Sequence, residues 1–245
     1  MRYLIGIDDT DNAGSRGTGF RARQLGGRLG ETGLALARGI TRHQLFVHPD
    51  IPYTSHNSAA CLDVELQDGD EFELQAFCRE YLAAESADGA DAGLCIASFD
   101  AVVDAVVGFG RSAKELVVTR EQAREIAARH GLHLEGITGD HMGVIGALSA
   151  VGLRRSGGDG RFIWLPGVRE LSGTATVGWL LETTGIEAVE TVDGRPLPRE
   201  AEVRVDPWPR PVLLNGVAVL LTQEAREQDA GYEWELLPKE TVRRY

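Results

Sequence analysis

Three aspartates, Asp8, Asp9 and Asp11, stand within four positions at the end of the apolar run Tyr3 to Ile7, and Gly17-Thr18-Gly19 follows shortly after. Carboxylates this close repel one another, and a hard cation relieves that repulsion. Mg²⁺ takes oxygen ligands and commonly binds one or two carboxylates together with substrate phosphates. The ordinary alternative is a polar turn after a strand, with Asp11 closing an Asx-turn and Thr10 capping it. The Gly17–Gly19 turn bears on the choice. Glycine lets a backbone approach an anion closely, and a following helix aims its first N–H groups at it. Thr18 is then an N-cap, a phosphate ligand or an acceptor of a phosphoryl group. No GxxxxGK[ST] segment occurs, so any nucleotide site uses an architecture other than the P-loop.

A second glycine-rich turn, Gly139-Asp140-His141-Met142-Gly143, opens the run IGALSAVG. It fits phosphate or adenine contacts at Gly143, and it fits tight helix packing through Gly146, Ala147 and Ala150 equally well. His48, His56 and His141 lie in or beside turns, where they can converge with the carboxylates into a metal hydrolase site. Their spacing does not single out such a site. Asp9-Thr10-Asp11 also matches the DxD core of haloacid-dehalogenase-type phosphatases. That chemistry needs a later lysine and acidic pair, for which Lys114 and Asp140 are poor stand-ins. Arg154, Arg155, Arg161 and Arg169 form a local basic cluster, read here as a solvated connector in preference to a contact for a phosphorylated substrate.

The elements that must carry these residues follow from periodicity. Tyr3 to Ile7 reads as a buried strand. Gly19 to Gly33 reads as a helix with Ala22, Leu25 and Leu29 on one face. Ile40 to His48 is extended, and 49–58 is a loop. Cys61 to Leu66 alternates, which predicts a half-buried strand with Asp63 and Glu65 turned outward. Leu74, Phe77, Cys78, Tyr81 and Leu82 give a helical stripe, and Leu94 to Phe99 a strand. Ala101 to Val107 is ambiguous, and Glu115 to Val118 suggests a short extended piece. Thr119 and Gln122 form a capping box for a helix that Gly131 ends. After Gly152 the texture changes to a flexible connector, proline-rich β-like runs, turn signals at Asp193-Gly194 and Asn215-Gly216, and one helix at Thr176 to Thr183. The expected architecture is α/β (α+β): a layered sheet-and-helix domain over 1–152 and a smaller β-rich domain over 153–245.

Composition bounds the function. The 245 residues are 43% hydrophobic, enough for packed cores, and carry a net charge of −12. A chain of that charge does not hold nucleic acid by bulk electrostatics. Cys61, Cys78 and Cys95 are odd in number and lack CxxC spacing, which argues against a disulfide framework or zinc ribbon. No apolar run reaches the roughly 18 residues of a membrane span. A cytoplasmic protein is expected.

IGIDDTD followed by GTG resembles the N-terminal kinase-like domain of the archaeal isoleucine-tRNA 2-agmatinylcytidine synthetase. Asp50-Ile51-Pro52-Tyr53-Thr54 is similar to that family's NPxIPxKTRGNGA segment, with Asn57 and Ala59 in the places of its NGA. IGALSAVG is similar to its LIGALAAIG, and Pro209-Arg210-Pro211-Val212-Leu213 to a PCPVLFGIRG segment of its ferredoxin-like domain. The resemblance implies ATP and Mg²⁺ as cofactors, with Asp8, Asp9 and Asp11 holding metal and triphosphate. It implies that Thr18 takes part in phosphoryl transfer with Asp9, and that Gly17, Gly19, Asn57 and Gly143 border the nucleotide. Two departures shape the expectation. The sequence has no counterpart of the family's OB-fold and zinc-ribbon region, and its Lys-Thr-Arg-Gly-Asn stands here as Tyr53-Thr54-Ser55-His56-Asn57. The expected protein is an ATP/Mg²⁺-dependent phosphotransferase- or ligase-like enzyme acting on a small-molecule or protein acceptor in place of tRNA. The alternatives are a non-catalytic nucleotide-binding module and a metal-dependent hydrolase.

Overall fold

A computed structural model describes residues 1–51, 56–225 and 231–242. Pro52, Tyr53, Thr54 and Ser55, which carry part of the family resemblance, lie outside the described residues. The chain divides into two compact units, Met1–Ser156 and Gly157–Tyr245.

The first unit runs β1 (Arg2–Asp8), α1 (Thr18–Glu31), β2 (Ala35–Gln44), β3 (Ser58–Leu66), α2 (Glu71–Glu85), β4 (Gly93–Ser98), α3 (Asp104–Ser112), α4 (Arg120–Arg129), β5 (His133–Gly136) and α5 (Val144–Ser156). Its strands lie in the order β5-β4-β1-β3-β2, each pair antiparallel. In β1 the side chains alternate between faces. Ile5 pairs with Leu62 on the face covered by α1, whose Gly26 sits against Ile40 and Leu62. Gly6 points to the other face, where α5 crosses. A Cβ at Gly6 would run into the backbone carbonyl of Ala147, so this crossing is closer than any side chain permits. α3 packs on α5 in the same manner: Gly152 lies against the Val106 carbonyl, and Gly110 meets the Ser149 carbonyl. Leu4, Cys61, Cys95, Val106, Phe109, Leu148 and Val151 fill the core on this side. The small residues of IGALSAVG thus make α5 buried nearly all round.

With both faces covered, β3 is not the half-buried strand that its alternation suggested. Asp63 is 1% exposed, and its carboxylate accepts bidentate bonds from Arg2 at 2.8 and 2.6 Å and a third from Arg154 at 2.7 Å. Arg154 leaves the expected solvated cluster for the same reason: α5 carries it into the core beside Asp63. Arg155 donates to the Phe99 carbonyl and lies over that ring, while in the second unit Arg169 stacks on Trp208. Ala101 to Val107 resolves into a 3-10 turn, Phe99–Ala101, and the start of α3. Glu115 to Val118 forms a turn and irregular chain where a short extended piece was expected. The Thr119–Gln122 capping box forms, and Gly131 takes the positive φ that ends the helical turn.

The second unit is β-rich: β6 (Arg161–Trp164), β7 (Thr174–Thr176), α6 (Val177–Thr183), β8 (Ala188–Thr191), β9 (Glu202–Arg204), β10 (Val212–Leu214), β11 (Val217–Glu224), β12 (Trp234–Leu236) and α7 (Lys239–Val242). Asn215 and Gly216 both adopt positive φ and close the β10–β11 hairpin. Phe162, Leu180, Val189, Val203 and Leu220 belong to its core. Together the units make a mixed α+β protein. Among the described residues no helix is long and apolar enough to cross a membrane.

Candidate functional site

The site begins where β1 runs out. Asp8 is the last strand residue, and Asp9 turns the chain with φ of 53°, a left-handed conformation that a non-glycine residue rarely adopts. Thr10 is fully buried, and its carbonyl accepts from the Ala87 amide, which ties the turn to the segment after α2. Asn12 folds the next residues onto themselves by accepting from the Gly14 amide and donating to the Asp88 carbonyl.

Thr18 opens α1, and Gly17, not Thr18, is its N-cap. Gly17 has no side chain to cap with, so Asp11 does that work: its Oδ1 accepts from the Thr18 amide at 3.1 Å and from the Thr18 hydroxyl at 2.9 Å. The Thr18 oxygen in turn accepts from the Thr10 amide and hydroxyl at 3.3 and 3.1 Å. The hydroxyl therefore stands in a fixed orientation, donating to the Asp11 carboxylate.

Opposite this turn is the start of α5. Gly93 of β4 pairs with Asp8 in register, and a Cβ there would strike the Gly143 carbonyl and the Val144 amide. A Cβ on Gly146 would land on the Asp8 carboxylate, so Asp8 presses directly on the first turn of α5, where helix N–H groups favour negative charge. One cleft joins these parts, with about 810 Å³ of empty space including its open mouth. Asp8, Asp9, Asp11, Thr18, Gly143 and Gly146 form its polar end. Leu45, Ile51, Ala113, Leu116, Val117 and Ile145 form an apolar wall, and Asp50, His56, Asn57 and Ser58 border it on the β2–β3 side.

Electrostatically, carboxylates dominate the polar end. Burial pushes the Asp8 carboxyl up to about 8, helped by its neighbours Asp9 and Asp11 and partly opposed by Arg42. Burial, with Asp91 and Asp11 nearby, raises Asp9 to about 6. Such groups hold a proton or call for a cation. Among the described residues no three His, Cys, Asp or Glu side chains converge into a metal cage. A cation here would need further oxygens from its ligand.

The structure distributes the remaining candidates unevenly. Asn57 lines the cleft while its amide donates to the Phe46 carbonyl at 2.6 Å, bracing the end of β2. His56 lines the cleft. His48 stacks on Phe46, with its ring nitrogen 3.7 Å from Asp50. His141 packs over Gly136 at the sheet edge. Neither His48 nor His141 is among the cleft-lining residues, nor are Gly17 and Gly19. Sequence reasoning missed Asp91. No local signal marked it: the β1–β4 register, which pairs Asp8 with Gly93, brings Asp91 beside the carboxylate turn.

No family model matches the chain, and no curated protein does. Solved structures do. Apo TiaS, an isoleucine-tRNA agmatidine synthetase, matches with a TM-score of 0.54 and 25% identity over 62% of this chain and 35% of that one. The complex of TiaS with its tRNA and ATP matches with a TM-score of 0.55 and 26% identity, over 62% and 36%. The complex of TiaS with its tRNA, AMPCPP and agmatine gives 0.54 and 26%, over 62% and 36%. The chain thus spans about a third of the length of those proteins. It resembles, over part of its length, the fold of an enzyme that has been seen with ATP and with an ATP analogue.

Proposed function

We propose that this chain is an ATP/Mg²⁺-dependent phosphotransferase- or ligase-like enzyme whose acceptor is a small molecule or a protein. The observation that carries the reading is the meeting of Asp8, Asp9 and the oriented Thr18 hydroxyl with the first turn of α5 at one end of a half-apolar cleft. Phosphoryl transfer asks mainly for positioning and for neutralisation of charge, and these are what the parts offer. The resemblance to TiaS in its ATP and AMPCPP complexes supports the same ligand.

The donor set fits Mg²⁺. Asp8 and Asp9 are oxygen ligands whose mutual repulsion a divalent cation removes, and one or two carboxylates plus phosphate oxygens are its usual complement. Bound there, the ion would supply neutralisation of the triphosphate charge. Asp11 has a different part, since its Oδ1 already holds the Thr18 amide and hydroxyl. It orients Thr18 as a phosphate ligand or, if Thr18 attacks the terminal phosphorus, accepts the hydroxyl proton as the Oγ–P bond forms and the bond to the departing nucleoside diphosphate breaks. Gly143 and the α5 N-terminus would face the phosphates. A net charge of −12 supplies no bulk attraction for a polyanion, which disfavours tRNA as the acceptor.

Calorimetric titration with Mg²⁺ and ATP, followed by mass measurement for a phosphorylated protein or acceptor, tests the reading. Binding that Asp9→Asn weakens at least tenfold is expected. No ATP binding by the wild type, or full activity in Asp9→Asn, would sink it. Binding without turnover against any acceptor preparation would leave a nucleotide-binding module.

A further inference from the structure

Asp91 lies just before β4, where neither the nucleotide nor the acceptor reading gives it a task. It nevertheless makes the polar contacts that hold the second glycine turn. One carboxylate oxygen, Oδ1, accepts from the Asp140 amide, and its backbone carbonyl accepts from the Gly143 amide at 2.9 Å. The same strip of chain is sewn down on either side. The Ile137 amide donates to the Ala92 carbonyl at 2.7 Å, and Thr138 Oγ1 bridges the Ala92 amide at 2.9 Å and the Ala90 carbonyl at 2.6 Å. Gly139 takes φ of 58°, and a Cβ there would land on the Asp91 carboxylate, so the turn leaves room for that side chain and no more. From the far side Arg120 donates to the Asp140 carbonyl.

We propose that Asp91 is a positioning residue for the nucleotide site: by holding the Asp140 amide it sets the Gly139–Gly143 turn, and so places Gly143 and the first turn of α5 at the polar end of the cleft. This rests on the reading of that cleft as an ATP site. The role belongs to an acceptor oxygen, not to a negative charge. An asparagine supplies the same oxygen to the Asp140 amide, and an alanine supplies none.

Two readouts separate the proposal from the reading on which it rests. In the full chain with Mg²⁺, Asp91→Ala is expected to lower ATP affinity at least tenfold, while Asp91→Asn stays within about threefold of the wild type. Without any nucleotide, amide hydrogen exchange of residues 139–143 is expected to rise at least tenfold in Asp91→Ala and to remain at the wild-type rate in Asp91→Asn, with β1 and β4 protected in both. If the wild type binds no ATP, the exchange result still decides the positioning role, and only the nucleotide reading falls. Unchanged exchange in Asp91→Ala overturns the proposal. So does an Asp91→Asn variant that loses ATP as fully as Asp91→Ala, since the charge and not the oxygen would then be what matters.

Discussion

Replacing Asp8 by asparagine should stabilise the protein without its ligand and abolish its response to Mg²⁺ and ATP. The substitution keeps shape and an acceptor oxygen, and it removes only the charge. In the unfolded chain Asp8 ionises near 3.8, whereas in the folded protein burial raises it to about 8. A carboxyl raised in this way contributes fully below the unfolded value, and its contribution is lost as pH climbs to the folded one. Over that window each pH unit costs up to about 1.4 kcal/mol, or roughly 6 kcal/mol in all. The carboxyl is desolvated but the residue as a whole is half-buried at the edge of the open cleft, so screening cuts this to about 2 kcal/mol. For a unit of this size that is a rise in melting temperature of about 4–8 °C near pH 8, falling toward zero near pH 4. Thermal melts of both proteins in chelator across this range measure it. A difference that stays constant with pH, or an asparagine variant that melts lower near pH 8, refutes the electrostatic account of the turn. The companion melt with Mg²⁺ and ATP should raise the wild type and leave the variant where it was.

Two further substitutions test the frame that holds the site. Gly6→Ala drives a methyl into the Ala147 backbone carbonyl, which has no rotamer to yield, and a loss of about 3 kcal/mol is expected in denaturant titration; a loss under about 1 kcal/mol would show that α5 does not cross β1 so closely. Asp63→Ala leaves the Arg154 guanidinium buried without its carboxylate, at an expected cost of about 3–5 kcal/mol, whereas replacing Asp63 and Arg154 together by apolar residues of similar size should recover most of that loss.

Strand β1, helix α1 and the Thr119–Gln122 cap were legible because each is written in local signals: an apolar run, a 3.6-residue stripe, a hydroxyl three positions before an amide. Asp63 was not. Alternation in β3 reports an outward face only when that face meets water, and here it meets α5. Arg154 misled for the same reason: sequence records its charge but not the buried carboxylate that receives it. At the site, the residue types around Asp8 and Thr18 were visible, while the task division was not. That Asp11 caps α1 in place of Gly17, and that Asp91 faces Asp9, are consequences of a turn geometry and of a β1–β4 register. Both depend on pairings between residues far apart in the chain.

The second glycine-rich segment shows how close packing can also serve a site at the edge of the core. Gly143 and Gly146 could be explained by packing or by an anion, and the geometry makes the first a condition of the second. Gly93 and Gly143 let α5 begin in contact with β4, and Gly6 lets it continue across β1. Only at that separation does the first turn of α5 come down on the Asp8 carboxylate, which a Cβ at Gly146 would displace. The helix dipole falls off within its first turn, so a helix set back by one side chain would still bury its apolar face while losing most of its influence on the carboxylate turn. The small residues are therefore specified twice, once by the core and once by the charge at its edge.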